Sequence, residues 1–168
     1  MFFNRRKSLP DYLAWDGKMP AAATAVESAA EATWIAGWTT AFAVVTEGEH
    51  SVYEWSEFET GEWDAAERTL KLTFIDPRLA PLFFQLPKDF DERVVTLIRE
   101  RIDRSIVYQE LRELPSGAIA RGQVRRNVDE SLFTQIFVDS QIDDADQEIM
   151  NELENSLREA VGISYHAQ

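Results

Sequence analysis

Residues 53–74 constrain the fold more than any other stretch of this chain. Tyr53-Glu54-Trp55-Ser56-Glu57-Phe58-Glu59-Thr60-Gly61-Glu62-Trp63-Asp64 sets two tryptophans around a glycine, and Thr69-Leu70-Lys71-Leu72-Thr73-Phe74 follows. In the second segment Leu70, Leu72 and Phe74 fall on one face and Thr69, Lys71 and Thr73 on the other, the period of a half-buried strand. A chain built on such a strand has an apolar sheet face to cover.

The same strand signal recurs. Ala21 to about Val26 is a small-residue strand candidate, and Trp34–Val45 is best split near Gly37–Thr40 into two strands, with a single long strand as the alternative. Ser51–Phe58, 69–75 and Leu82–Leu86 continue the series, with Gly61 read as part of a turn. The period then changes: Phe90, Val94, Ile98 and Ile102 step by four, which predicts an amphipathic helix near 88–104 with Asp89, Asp91 and Glu92 in its first turn. Ile106–Leu111 returns to strand, and Pro115-Ser116-Gly117 reads as a turn. The polar segment Ala118–Val128 reads as an edge strand or one with a solvated face, and Leu132–Val138 as the last strand. Ile149, Leu153, Leu157 and Val161 then mark a closing helix near 144–161, with Gly162 as its stop. Strands in long antiparallel runs with two helices give an α+β fold, a curved antiparallel sheet or partial barrel, rather than a parallel α/β sheet. Without a composition break, residues 21–162 read as a single α+β domain, with 1–20 a peripheral segment and 163–168 a tail.

Composition narrows function mainly by exclusion. There is no cysteine, so thiol nucleophiles, thiolate metal sites and disulfides are out, and a reducing compartment fits. The longest charge-free run, Ala32–Thr46, has 15 residues, short of a membrane-spanning helix. Pro10 and Asp11 follow the basic Arg5-Arg6-Lys7 cluster at once, so no signal peptide is expected and the chain reads as cytoplasmic. The net charge of −13 disfavours nucleic acid and anionic membranes as partners.

Charge is unevenly spread. Residues 47–68 carry eight acids against Arg68, and 127–157 carry nine acids and no base. The middle, 88–126, carries eight arginines and Lys88 against seven acids. Arg99, Arg101, Arg104, Arg121, Arg125 and Arg126 are therefore candidate docking charges for an acidic partner, against the plainer reading of a solvated, internally paired surface.

Chemistry-bearing motifs are sparse. His50 sits beside a turn and His166 in the tail, neither in a nucleophile motif, and the isolated glycines form no phosphate cradle. No catalytic, metal or cofactor residues are assigned. Asp139–Glu148 concentrates carboxylates, but lacks the glycine of a calcium loop and reads as a helix entry with Asp143 or Asp144 accepting amide bonds. Trp34, Trp38, Trp55 and Trp63 are candidates for a pocket or partner surface, with Trp55 and Trp63 favoured as core or core-edge.

With these residues in view, the chain resembles an uncharacterised family of small actinobacterial proteins over roughly residues 21–162. The resemblance rests on the Trp34–Val45 region, Trp55-Ser56-Glu57-Phe58, Gly61-Glu62-Trp63-Asp64, Arg68-Thr69-Leu70-Lys71-Leu72 and the helix end Arg99–Val107. Trp34–Phe74 is similar to bacterial pleckstrin-homology-like (PH-like) barrels, which implies a PH-like partial barrel. The helix at 88–104 with three strands after it departs from the simple order of such barrels. The family brings no activity or catalytic residues. The loop Glu27-Ser28-Ala29-Ala30-Glu31, where PH domains commonly carry basic residues for phosphoinositides, is acidic here, so lipid binding is not implied.

Two functions follow as expectations. One is a non-enzymatic cytoplasmic module that binds a protein partner or a second copy of itself as a homodimer. The alternative is a small-molecule-binding protein or enzyme with an aromatic-lined pocket.

Overall fold

The computed structural model describes residues 8–27 and 30–163. The basic N-terminal cluster, Ser28 and Ala29 of the acidic loop, and His166 lie outside the described residues. The fold is α+β, with three separate antiparallel sheets and two helices; no sheet closes into a barrel. The chain divides into two compact units, Met1–Ile102 and Asp103–Gln168.

The first unit begins its sheets with β1 (Ala22–Ala25), β2 (Trp34–Gly37), β3 (Phe42–Thr46) and β4 (Glu49–Tyr53), paired in that order. A second sheet follows the same meander: β5 (Phe58–Asp64), β6 (Thr69–Phe74) and β7 (Leu82–Gln85). Gly61, Glu62 and Trp63 therefore lie inside a strand, opposite Leu72, Lys71 and Leu70, and not in a turn. Helix α1 (Arg93–Ser105) comes next. The acids precede it instead of occupying its first turn: Asp91 accepts through a side-chain oxygen from the Arg93 amide at 3.1 Å and through its carbonyl from Val94 at 3.0 Å. That satisfies amides a helix N-terminus leaves orphaned.

Period-2 alternation sends Ile35 and Phe42 into the main core with Phe58, Leu70, Leu72, Phe74 and Phe84. Val94, Val95, Ile98 and Ile102 close that core from one stripe of α1. Phe42 stands at its centre, 5.7–6.2 Å from the rings of Tyr53, Trp55, Phe58 and Phe84, distances at which edge and tilted aromatic pairs attract. The opposite face of the first sheet is also apolar: Ala23, Ala36, Ala43, Val45 and Trp38 form a second buried cluster. The segment before β1 covers it with Leu9, Tyr12, Trp15 and the fully buried Leu13. Alanine at three of those sheet positions leaves room for two leucines, a tyrosine and a tryptophan above them.

In the second unit β8 (Ile106–Glu113), β9 (Ile119–Arg126) and β10 (Leu132–Val138) form a sheet in the order β10-β9-β8. The polar strand is thus central, not at an edge. Two of its buried polar side chains are paired: Gln123 donates to Gln109 on β8 at 2.7 Å, and Arg125 donates to Gln123 at 3.0 Å and to Ser105 at the end of α1 at 3.1 Å. A buried polar strand is tolerable when its groups find partners. Helix α2 (Asp146–Ala160) lays Leu153 and Leu157 on the other face, over Ala120 and Val124. A Cβ on Gly122 would stand 2.7 Å from Leu157 Cδ1, so close approach of helix to strand explains this glycine, and neither a turn nor a helix stop does.

Candidate functional site

Pairing order makes β1 an edge strand. Three backbone hydrogen bonds settle which of its groups point outward. Trp38 donates to Ala41 at 2.8 Å, so Trp34, Ala36 and Trp38 turn their peptide groups toward β3, and Ile35 and Gly37 turn theirs toward β1. Val26 donates to Thr33 at 2.9 Å, which gives Ala22, Thr24 and Val26 the inward positions on β1. Glu27 donates the other way, to Gln85 at the end of β7, at 2.8 Å. Ala23 and Ala25 share the parity of Glu27, so the amide and carbonyl of Ala23 and the amide of Ala25 face away from β2. No described strand pairs with them. The Ala25 carbonyl receives the Thr24 hydroxyl at 3.1 Å.

Such an edge is usually blunted by charge, proline or a covering element. β1 reads Ala-Ala-Thr-Ala and carries neither charge nor proline. Ala23 is only 4% exposed. Ala22 and Thr24 are buried as well, so most of this edge is covered and not open to solvent.

Beside the start of this edge lies a groove of about 430 Å³, lined by Ala21 and Ala22 from β1 and by Glu92, Arg93, Thr96, Leu97 and Glu100 from α1 and its entry. Glu92, Thr96 and Glu100 recur at four-residue spacing, so they form one wall. The Arg93 guanidinium is held by both carboxylate oxygens of Asp91, whose hydrogen bonds raise its pKa further above the ordinary arginine value. Arg93 is thus neutralised locally. The Glu92 and Glu100 carboxylates are exposed and form no ion pair among the described residues, which leaves the wall acidic.

The four tryptophans do not meet in one pocket. Trp55 is buried in the main core and Trp63 packs at its margin, 5.0 Å from Phe90. Trp34 and Trp38 belong to the cluster on the opposite face. Their indoles fasten elements together: Trp55 Nε1 donates to the Trp38 carbonyl and Trp38 Nε1 to the Lys18 carbonyl, both at 3.0 Å. Trp38 lines a recess of about 250 Å³ shared with Trp15, Asp16, Lys18 and Met19.

The six arginines differ in their settings. Arg99, Arg104 and Arg126 are exposed and Arg101 is half-buried. Arg121 lies with its guanidinium carbon 5.0 Å from the Phe137 ring, a cation–π distance. Arg125 is fully buried in the network with Gln123 and Ser105, so it builds the sheet and is not presented to a partner.

The acidic stretch is used for fastening. Asp143 accepts from the Ala145 amide and Asp139 from the Ile119 amide. Asp146 is buried and accepts from the Ser116 amide at 2.9 Å and the Asp143 amide at 3.0 Å, tying the start of α2 to the β8–β9 turn. Burial pushes its pKa up, but the hydrogen bonds from Ser116 and Asp143 outweigh that and leave it below the ordinary carboxylate value. Among the described residues no three His, Cys, Asp or Glu side chains converge as metal ligands, and no helix is long and apolar enough to cross a membrane.

Comparison with known proteins finds no matching family, no matching curated protein and no matching solved structure.

Proposed function

We propose that this chain is a non-enzymatic cytoplasmic protein-interaction module whose first unit has PH-like character and binds at the groove between the start of β1 and α1. The observation that carries the reading is that groove of about 430 Å³, whose Glu92 and Glu100 carboxylates are exposed and form no ion pair among the described residues. The four-strand and three-strand meanders followed by an amphipathic helix support the PH-like reading. The absence of cysteine supports a reducing compartment.

The test is light scattering of the purified chain across salt concentration, combined with affinity capture from native lysate and cross-link mapping. The reading predicts self-association or a captured partner, with cross-links concentrated on 21–25 and 92–100. A salt-independent monomer that captures nothing contradicts it.

One observation favours a second reading, a small-molecule site: the recess beside Trp15 and Trp38. A ligand seated there quenches or shifts tryptophan emission and raises the melting temperature. At a hundred times its dissociation constant it stabilises the fold by about 2.7 kcal/mol. A metabolite screen that moves neither signal removes this reading.

A further inference from the structure

We propose that two copies of this chain pair through β8, antiparallel about a two-fold axis at Leu111, and so join their three-stranded sheets. The inference goes beyond the groove reading and draws on the second unit alone. β8 is an edge strand. The Leu114 amide donates to the Ala118 carbonyl at 2.8 Å, so by alternation Tyr108, Glu110 and Arg112 turn their peptide groups to β9. Ile119 agrees, since its amide and carbonyl both bond Asp139, just past the end of β10. The amides and carbonyls of Gln109, Leu111 and Glu113 therefore point away from the sheet and have no partner among the described residues. All three residues are exposed, Leu111 at 60%. A bulge between Ile106 and Tyr108 bounds this stretch on one side, and Pro115 on the other.

Charge complementarity selects a second copy, in one register. Outward residues must face outward residues, so the axis falls on a residue between Gln109 and Glu113. An axis at Glu110, Arg112 or Glu113 sets a like charge directly opposite itself, and one at Gln109 runs into the bulge. With the axis at Leu111, Gln109 faces Glu113 of the second copy and every outward amide and carbonyl finds a mate. Glu110 then lies across from Arg112 of the second copy, on the face where it also accepts from the Ser156 hydroxyl at 2.8 Å. Each strand already pairs Glu110 with Arg112 at 2.8 Å, so the two copies close a ring of alternating carboxylates and guanidiniums. On the other face the Gln109 side-chain oxygen accepts from Gln123 at 2.7 Å, which leaves its amide hydrogens for the Glu113 carboxylate of the second copy. Charge on an edge ordinarily repels an added strand, and in this register it is matched. Leu111 meets its own copy on the axis, which takes an exposed leucine out of water.

Sedimentation equilibrium of the full chain tests this, at about 0.15 M salt, where exposed charges more than about 8 Å apart are largely screened and the −13 on each copy repels less. The expected species is a reversible dimer. Leu111→Pro removes the outward amide on the axis, leaves the ladder to β9 intact, and weakens association at least about tenfold. Glu110→Arg and Arg112→Glu each set like charges across the pair and weaken it by a similar factor, while an equimolar mixture of the two recovers a dimer. Register is read by cross-linking, since the chain has no cysteine of its own. Directly opposed residues on the axis stand about 5.5 Å apart at Cα, within disulfide reach. Leu111→Cys is therefore expected to cross-link to its copy under oxidised glutathione, and Gln109→Cys, about 13 Å from its own copy along the strand, is not. Leu111 is exposed, so this variant keeps the test valid if a charge swap unfolds. A chain that is monomeric at every concentration overturns the proposal. A dimer that Leu111→Pro leaves untouched, or equal cross-linking of the two cysteine variants, does so as well. A monomer that captures a lysate partner and loses it in Leu111→Pro overturns it in favour of a foreign strand at this edge. Cross-links of the β8 pair fall on 108–113 and those of a groove ligand on 92–100, so either reading can fail alone.

Discussion

Gly122→Ala is the sharpest test of how the second unit is packed. The added methyl would stand 2.7 Å from Leu157 Cδ1 and 3.1 Å from two atoms of Leu153, where ordinary contact begins at 3.4 Å. Leu157 must therefore retreat by about 0.7 Å (3.4 − 2.7), in a helix whose Leu153 and Leu157 are both fully buried. Overpacking of this kind costs about 1–3 kcal/mol. Replacing a strand glycine by alanine returns about 0.5–1 kcal/mol through the unfolded chain, so the net destabilisation is about 0–2.5 kcal/mol. Leu157→Ala alone empties a buried site and costs about 2–5 kcal/mol. In the double variant the new methyl partly fills the space the leucine left, so the two losses fall short of their sum by about 1 kcal/mol or more. The assay is urea unfolding followed by far-ultraviolet circular dichroism, with hydrogen exchange over 119–126 to localise the effect. Every tryptophan lies between Trp15 and Trp63, so tryptophan emission follows the first unit alone and serves as the internal control. A stabilised Gly122→Ala, or strictly additive losses in the double variant, would refute the close approach of α2 to β9.

Other consequences are as direct. Leu13→Ala removes the fully buried side chain that seals the second face of the first sheet and lowers stability by about 2–5 kcal/mol, read by urea unfolding with tryptophan emission. Asp76 accepts hydrogen bonds from the side chain and the backbone amide of Arg78, which lower its pKa to about 2, and a carboxyl-detected NMR titration should find it there and find it raised in Arg78→Ala, where the amide bond remains. Its depressed folded value means the Asp76–Arg78 contribution is present above the ordinary carboxylate pKa and fades as pH falls toward about 2. Asp146 shifts in the same direction, so Asp146→Asn lowers the melting temperature at neutral pH, and the difference from the parent narrows in acid as the parent carboxylate protonates. A gap that stays constant across that range would contradict the role given to the Asp146 charge.

Strands with one buried face were legible because alternation is a local signal: Leu70, Leu72 and Phe74 all point to the main core. β5 was harder, since Gly61 and three acids among its seven residues resemble a turn. The edge reading of 118–128 failed for a physical reason. Gln123 and Arg125 are made tolerable at the centre of the sheet by Gln109 and Ser105, 14 and 20 residues away, and no local pattern announces those bonds. The division into two units left no trace in composition, because α1 ends at Ser105 and β8 starts at Ile106 with no linker between them. The tryptophans carried a usable signal that composition alone concealed: Trp34 and Trp38 share a parity opposite to Ile35, which places them on the face away from the main core. Of the candidate site, Ala21–Val26 was visible as a strand, but its edge position depends on pairing order, which sequence does not contain.

The most direct measurement of the central claim is affinity capture from native lysate, combined with light scattering across salt concentration and cross-link mapping. The expected result is self-association or a captured partner, with cross-links concentrated on 92–100. A salt-independent monomer that captures nothing would contradict it.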